Sequence, residues 1–129
     1  MANNFDSSIP LLITLGAIPG AIARYYLTLV CIKKMGLSFP YGTAIINISG
    51  SFLIGFCSTL IQSLSNSVHI NSFLIIGFLG SYTTFSTYEL DSANLFRAGH
   101  AKKAILYWLG SPILGLLGVA LGMTLARQF

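Results

Sequence analysis

Charge is what this chain has least of. Three Asp and Glu and seven Lys and Arg are all it carries among 129 residues, 8% in total, against 54% hydrophobic residues and a mean hydropathy of +0.78. A water-soluble surface needs several times more charge, so a soluble domain is excluded and the chain reads as an integral membrane protein. The few bases flank apolar runs, so the net charge of +4 fits loops beside anionic lipid rather than nucleic-acid binding. No Lys or Arg precedes the first apolar run, where Asp6 is the only charge. A cleaved secretory signal with its basic leader is therefore not expected, and the first apolar segment stays in the mature chain. Cys31 and Cys57 lie at or within apolar runs without metal-ligand spacing and read as small core residues. The sequence has no nucleophile elbow, phosphate loop, metal cluster or carboxylate pair, and Glu89, Asp91 and His100 read as helix-end or loop groups. An enzyme is not expected.

What remains is long apolar segments. Hydrocarbon about 30 Å thick takes roughly 20 helical residues to cross, and four segments suffice, over approximately 9–32, 41–64, 70–96 and 104–126. The connections are short: Lys33 to Pro40, Ser65 to His69, and Arg97 to Lys103. The whole chain, 1–129, is thus one all-α transmembrane domain of four helices. Small-xxx-small pairs, Gly16 with Gly20, Ser51 with Gly55 and Gly118 with Gly122, imply close helix packing. Pro19 and Pro112 each remove an intrahelical hydrogen bond and are candidate kinks.

The third span departs from that pattern. Its segment GFLGSYTTFSTYE, Gly77 to Glu89, sets two glycines and a run of hydroxyls inside a membrane-grade helix. Lipid supplies no hydrogen bonds, so such a composition survives only facing protein or lining a path for water or ions. Weak helix propensity and hydroxyls that compete for backbone groups predict that the helix opens near mid-membrane. An opened turn presents carbonyl oxygens suited to a small hard cation such as sodium, and the half-helix that follows presents amides and hydroxyls suited to anions. The sequence holds no internal duplication. A chain this small obtains a symmetric path by pairing with a second copy, antiparallel, about a two-fold axis in the membrane plane that passes near the opened turn.

Several polar positions admit two readings. Phe85 and Tyr88 project from one helix face, as packing or as ring edges whose partial positive charge meets an anion. Asn47, with Thr43 one turn earlier and Gly50 close behind, is either helix glue or an amide donor to an anion. Arg24 has no acid nearby in sequence, and either snorkels to the interface or lends positive potential to an anion vestibule. Tyr107 and Trp108 fit an interfacial anchor, while Ser111, one turn past Tyr107, extends a hydroxyl track.

Three blocks, GAIPGAIARYYLT from Gly16, GTAIINISGSFLIGF from Gly42 and GFLGSYTTFSTYELDS from Gly77, resemble the CrcB/Fluc family of fluoride channels along essentially the full chain, with TTFST the most specific part. The resemblance implies four-helix subunits paired antiparallel, two fluoride pathways and a structural sodium ion at the dimer centre. It implies that Asn47 is the pore asparagine, that Phe85 is the first of two pore phenylalanines, and that Gly80 and Thr83 offer their carbonyls to the sodium. Arg24 matches the arginine near the aqueous entrance, and Ser86, Thr87, Thr43, Tyr107 and Ser111 match hydroxyls along the path. Tyr88 departs from the pattern by standing where the second phenylalanine is expected. The implied activity is passive export of fluoride across the inner or plasma membrane, relieving its toxicity.

Orientation brings a second departure. Lys33, Lys34, Arg97, Lys102 and Lys103 lie on one side, and only Arg127 on the other. Bases stay cytoplasmic, so both termini are expected outside in one fixed orientation, which favours an oppositely oriented homologue as partner over a homodimer. Two alternatives stand beside the channel. A small multidrug-type proton-coupled exporter requires a carboxylate in the first span, where this chain has Arg24. A non-transporting assembly subunit leaves the hydroxyl and aromatic cluster without a role.

Overall fold

The computed structural model describes residues 6–62, 64 and 67–129. Among them the chain runs as α1 (Ser8–Met35), α2 (Tyr41–Ile61), a short α3 (Ser67–Ile70), a π-helix π1 (Asn71–Leu79), a single turn α4 (Gly80–Tyr82), α5 (Phe85–Arg97) and α6 (Ala101–Ala126). Four helical stretches, Ser8–Met35, Tyr41–Ile61, Ser67–Arg97 and Ala101–Ala126, are long and apolar enough to cross a membrane. The chain is a multi-pass membrane protein.

The ends of the spans differ from the expected ones. Lys33, Lys34 and Met35 belong to the last turn of α1, where cations suit the negative end of the helix dipole. Gly36 ends the helix with φ of 77°, its N–H bonded to the Ile32 carbonyl at 3.0 Å. α2 stops at Ile61, short of Leu64, and helix resumes at Ser67. Part of the expected second turn, including Ser65, lies outside the described residues. Arg97 closes α5 and Ala101–Lys103 open α6, so the third connection shrinks to 98–100 around Gly99, with φ of 79°. Both helices that contain proline, at Pro19 and Pro112, run on without interruption.

Hydrophobicity does not sort helix faces here, because lipid is as apolar as the interior; packing of small residues does. α1 lies against π1, where a Cβ on Gly16 or Gly20 would strike the Phe73 and Phe78 carbonyls, and one on Gly77 would lie 2.6 Å from the Ile13 carbonyl. α2 lies against α6 in the same way, with Gly55 on the Val119 carbonyl and Gly122 on the Phe52 carbonyl. Large side chains such as Leu106, Leu116 and Leu121 point outward. The buried clusters are small: Ile46, Leu79 and Tyr82 between α2 and the third span, and Tyr88, Leu95, Ala104 and Tyr107 between α5 and α6.

Candidate functional site

The third span gives way at two residues. Thr83 (ψ 158°) and Thr84 (φ −150°, ψ 119°) are extended between α4 and α5. In a continuous helix the Thr84 N–H would bond to the Gly80 carbonyl; here it donates to Asn47 Oδ1 at 2.8 Å, while Asn47 Nδ2 donates to the Thr84 carbonyl at 2.8 Å. One side-chain amide thus satisfies the amide that the interruption strands and adds a second bond to the Thr84 carbonyl, which as the cap of α5 already accepts from that helix. Thr84 then caps the next helix, its Oγ1 accepting the Thr87 N–H at 3.2 Å and donating to Thr87 Oγ1 at 2.9 Å. Gly50 lets α2 approach, since a Cβ there would strike the Thr83 methyl.

The other half of the interruption is held from α1 and α2. Ser81 Oγ donates to the Ala17 carbonyl at 2.9 Å, and Ser49 Oγ pairs with the Tyr82 hydroxyl at 2.9 Å. Arg24 is half-buried, its Nη1 reaching the Thr83 carbonyl at 3.5 Å, and it is not among the residues lining the cavity described below.

Phe85 and Tyr88 share a helix side, with ring centroids 5.7 Å apart, yet differ in surroundings: Phe85 is 74% exposed and Tyr88 4%. The Tyr88 hydroxyl donates to the Trp108 carbonyl of α6, so it ties two helices together. Rings continue from Tyr88 to Tyr107 at 5.3 Å and from Tyr107, edge-on, to Phe39 at 5.4 Å. Ser86 and Thr87 are exposed beside this row. Ser111 is half-buried one turn along α6.

Phe39 borders a cavity of about 470 Å³ walled by the ends of α1 and α5, the 36–40 loop and the start of α2. Thr43, Thr87, Asp91 and Asn94 are among its polar lining, with Thr28, Ser38 and His100. Asp91 is not the helix-end group expected from sequence. It lies midway along α5 and its Oδ2 accepts the Thr43 hydroxyl at 2.7 Å. Among the described residues the buried Tyr107 hydroxyl makes no well-formed hydrogen bond, although the Thr43 hydroxyl lies near it. A continuous series of polar and aromatic groups therefore runs from the extended Thr83–Thr84 pair, past Phe85, Tyr88 and Tyr107, to an open cavity.

Sequence reasoning missed three participants. Thr84 carries the interruption together with Asn47, and its signal was a Thr three residues before another Thr at the start of a helix, the spacing of a cap. Asp91 follows Thr87 by one turn and so shares its face. The Ser49–Tyr82 pairing had no local signal.

A membrane protein of four helical spans, with a polar seam through its third span, is the class that fold and site define. The family model for CrcB-like protein, Camphor Resistance (CrcB), matches residues 11–123, and the chain belongs to that family. It is 46% identical over 120 residues to a protein of Synechococcus sp. named fluoride-specific ion channel FluC, covering 92% of each chain. It is 48% identical over 120 residues to the protein of that name from Synechocystis sp., again covering 92% of each. The Aquifex aeolicus protein of the same name is 40% identical over 117 residues, covering 90% of this chain and 94% of the other.

Proposed function

We propose that this chain is a subunit of a fluoride-selective channel that lets cytoplasmic fluoride leave passively through the inner or plasma membrane and so limits its toxicity. Support comes from the names of its relatives and, in the chain itself, from one arrangement: the N-terminal end of α5, with Thr84 as its cap and Phe85 exposed beside it, opened within a membrane span by the Asn47 clamp. Fluoride is small and strongly hydrated, so a pathway must replace its water. The positive end of α5, the Ser86 and Thr87 hydroxyls and the second N–H of Asn47 supply donors. The edges of Phe85, Tyr88 and Tyr107 supply weak positive charge in a dry passage. Thr43 and Ser111 extend the hydroxyl track, and the cavity beside Thr43 and Asp91 receives the ion from water.

A single chain leaves Phe85 uncovered, and a second subunit in antiparallel orientation would enclose it, giving a dual-topology-type dimer whose axis passes near the interrupted third span. The partner is an identical chain or an oppositely oriented homologue; the one-sided placement of Lys33, Lys34, Arg97, Lys102 and Lys103 favours the homologue. A structural sodium ion fits the oxygens at the interruption in kind. Thr83 is extended, and the amide that would occupy the Gly80 carbonyl is diverted to Asn47. Two chains would offer both carbonyls twice, and the cation would hold like dipoles together at the interface. Arg24 works against it by reaching the same Thr83 oxygen.

The experiment is electrode-monitored efflux from liposomes containing this chain alone, started with a potassium ionophore, with chloride-loaded vesicles as control. Fluoride release without chloride release supports a self-sufficient selective channel. No release from folded protein alone, restored by an oppositely oriented homologue, supports the heterodimer; no release with either sinks the channel assignment.

A further inference from the structure

A narrow groove of about 210 Å³ runs between α5 and α6, lined by Ser92, Phe96, Ala104, Ile105 and Trp108. Ser92 and Ala104 form a buried floor, while Phe96, Ile105 and Trp108 stand 63%, 54% and 50% exposed as its walls. The one polar group on the floor, the Ser92 hydroxyl, is bonded to the Tyr88 carbonyl at 2.8 Å. The groove is therefore dry and apolar along its length.

Bases collect at one end of it. Arg97 directly follows Phe96 as the last residue of α5, and Lys102, three residues before Ile105, shares that side of α6 with Lys103 adjacent. Among the described residues none of these three makes an ion pair. Lys102 and Lys103 also occupy the first turn of α6, which holds no acid and whose His100 cap accepts no backbone N–H with its side chain. Cations there oppose the helix dipole. An anion outside the chain would relieve that opposition, and the chain has none to offer: Asp6 is bonded to Ser8 and His69, Asp91 to Thr43, and Glu89 lies about two turns deeper along α5. For the same reason a second copy of the chain is a poor occupant.

We propose that this groove is a binding site for an anionic phospholipid, one acyl chain lying along Phe96, Ile105 and Trp108 and the headgroup phosphate held by Arg97, Lys102 and Lys103. Basic groups at a membrane surface attract anionic lipid by about 1 kcal/mol each, roughly a fivefold preference per contact. The inference is independent of fluoride conduction.

Trp108 is the only tryptophan in the chain and lies six residues past Lys102, about 9 Å along the helix, level with the upper acyl chain. The test is quenching of its fluorescence in full-length protein reconstituted into phosphatidylcholine vesicles, titrated with phosphatidylglycerol or phosphatidylcholine brominated in the upper acyl chain. The site requires phosphatidylglycerol to quench at a several-fold lower mole fraction. That preference must shrink about fivefold in Lys102→Gln and in Arg97→Gln, and also in unmodified protein at high salt, which needs no variant to fold. Equal quenching by the two lipids overturns the proposal. So does quenching by neither, which would mean that protein covers the groove.

Discussion

Asn47 and Thr84 are joined by two hydrogen bonds of 2.8 Å each, one to the Thr84 N–H and one to its carbonyl. A side-chain amide is the only common group with a donor and an acceptor side by side, which is why an aspartate or a leucine of similar size cannot take its place. In water the stranded Thr84 N–H would turn to solvent; in a membrane span it has nowhere else to go.

Asn47→Ala should therefore strand the Thr84 N–H and remove the second bond to its carbonyl, costing about 2–3 kcal/mol of stability, at about 1–3 kcal/mol for the unpaired donor, lowered by partial repairing within the membrane. Asn47→Asp keeps the acceptor for the Thr84 N–H but sets a carboxylate against the Thr84 carbonyl and the proposed anion path. It should lower fluoride efflux by well over tenfold, and Phe85→Ile should do the same with little loss of fold. Liposome efflux and thermal unfolding in detergent read the two effects separately; wild-type efflux from either variant would defeat the pathway assignment.

Tyr88→Phe tests whether the departure from the family pattern matters to transport. The hydroxyl is bonded to the Trp108 carbonyl, and Tyr88 is buried where Phe85 is exposed. Its removal should cost about 1 kcal/mol of stability and leave efflux within about twofold. A large change in flux at unchanged stability would put the hydroxyl in the path instead.

The contrast of two glycines checks the packing. Gly16→Ala would drive a methyl into the Phe73 carbonyl and should destabilise by more than about 1 kcal/mol as α1 separates from π1. Gly110 has nothing within 4 Å of a Cβ, so Gly110→Ala should be neutral or stabilise by up to about 1 kcal/mol through helix propensity. Equal effects at both sites would mean that close backbone approach does not hold the helices.

Much of this was legible before any coordinates. Hydrocarbon thickness and the apolar runs fix four spans, and the glycines at small-xxx-small spacing do sit where helices meet. The hydroxyl-rich segment from Gly77 pointed to an opening somewhere near the middle of the third span, without naming the residues, because Ser and Thr compete for the backbone wherever they cluster. What stayed hidden is long-range. Nothing around Asn47 says that it will hold Thr84, 37 residues away, and nothing around Asp91 says that Thr43 will meet it. The helices run past the expected spans at Lys33–Met35 and Ala101–Lys103, since charged residues beside an apolar run remain helical while leaving the apolar pattern that marks a span.

Outside the membrane, Asp6 gives a pH dependence of known sign. Its carboxylate accepts the Ser8 hydroxyl at 2.6 Å and the Ser8 N–H at 3.0 Å and pairs with His69 at 3.1 Å, and the Ser8 side-chain bond, ahead of the other contacts, holds its pKa below the ordinary value. A lowered folded-state pKa means that the tie is present above the ordinary carboxyl range and is lost as pH falls through the folded value, below about pH 4. The Ser8 amide resonance should move over that window in the wild type and stay still in Asp6→Asn. An unchanged titration in the variant would assign the transition to another group.

Tyr107 offers the sharpest separation of fold from function. Among the described residues its hydroxyl is buried with no well-formed hydrogen bond, although the Thr43 hydroxyl lies near it, so it adds little to the fold, and Tyr107→Phe should leave stability unchanged or raise it by about 1 kcal/mol. If that hydroxyl is one of the donors replacing water around a passing fluoride, the same variant should lose several-fold in efflux. Most functional substitutions lower activity and stability together, and the two effects cannot then be told apart. Here they are expected to move in opposite directions, measured by thermal unfolding and by electrode-monitored efflux on one preparation. A more stable protein with undiminished flux would take Tyr107 out of the pathway and leave its hydroxyl without a role.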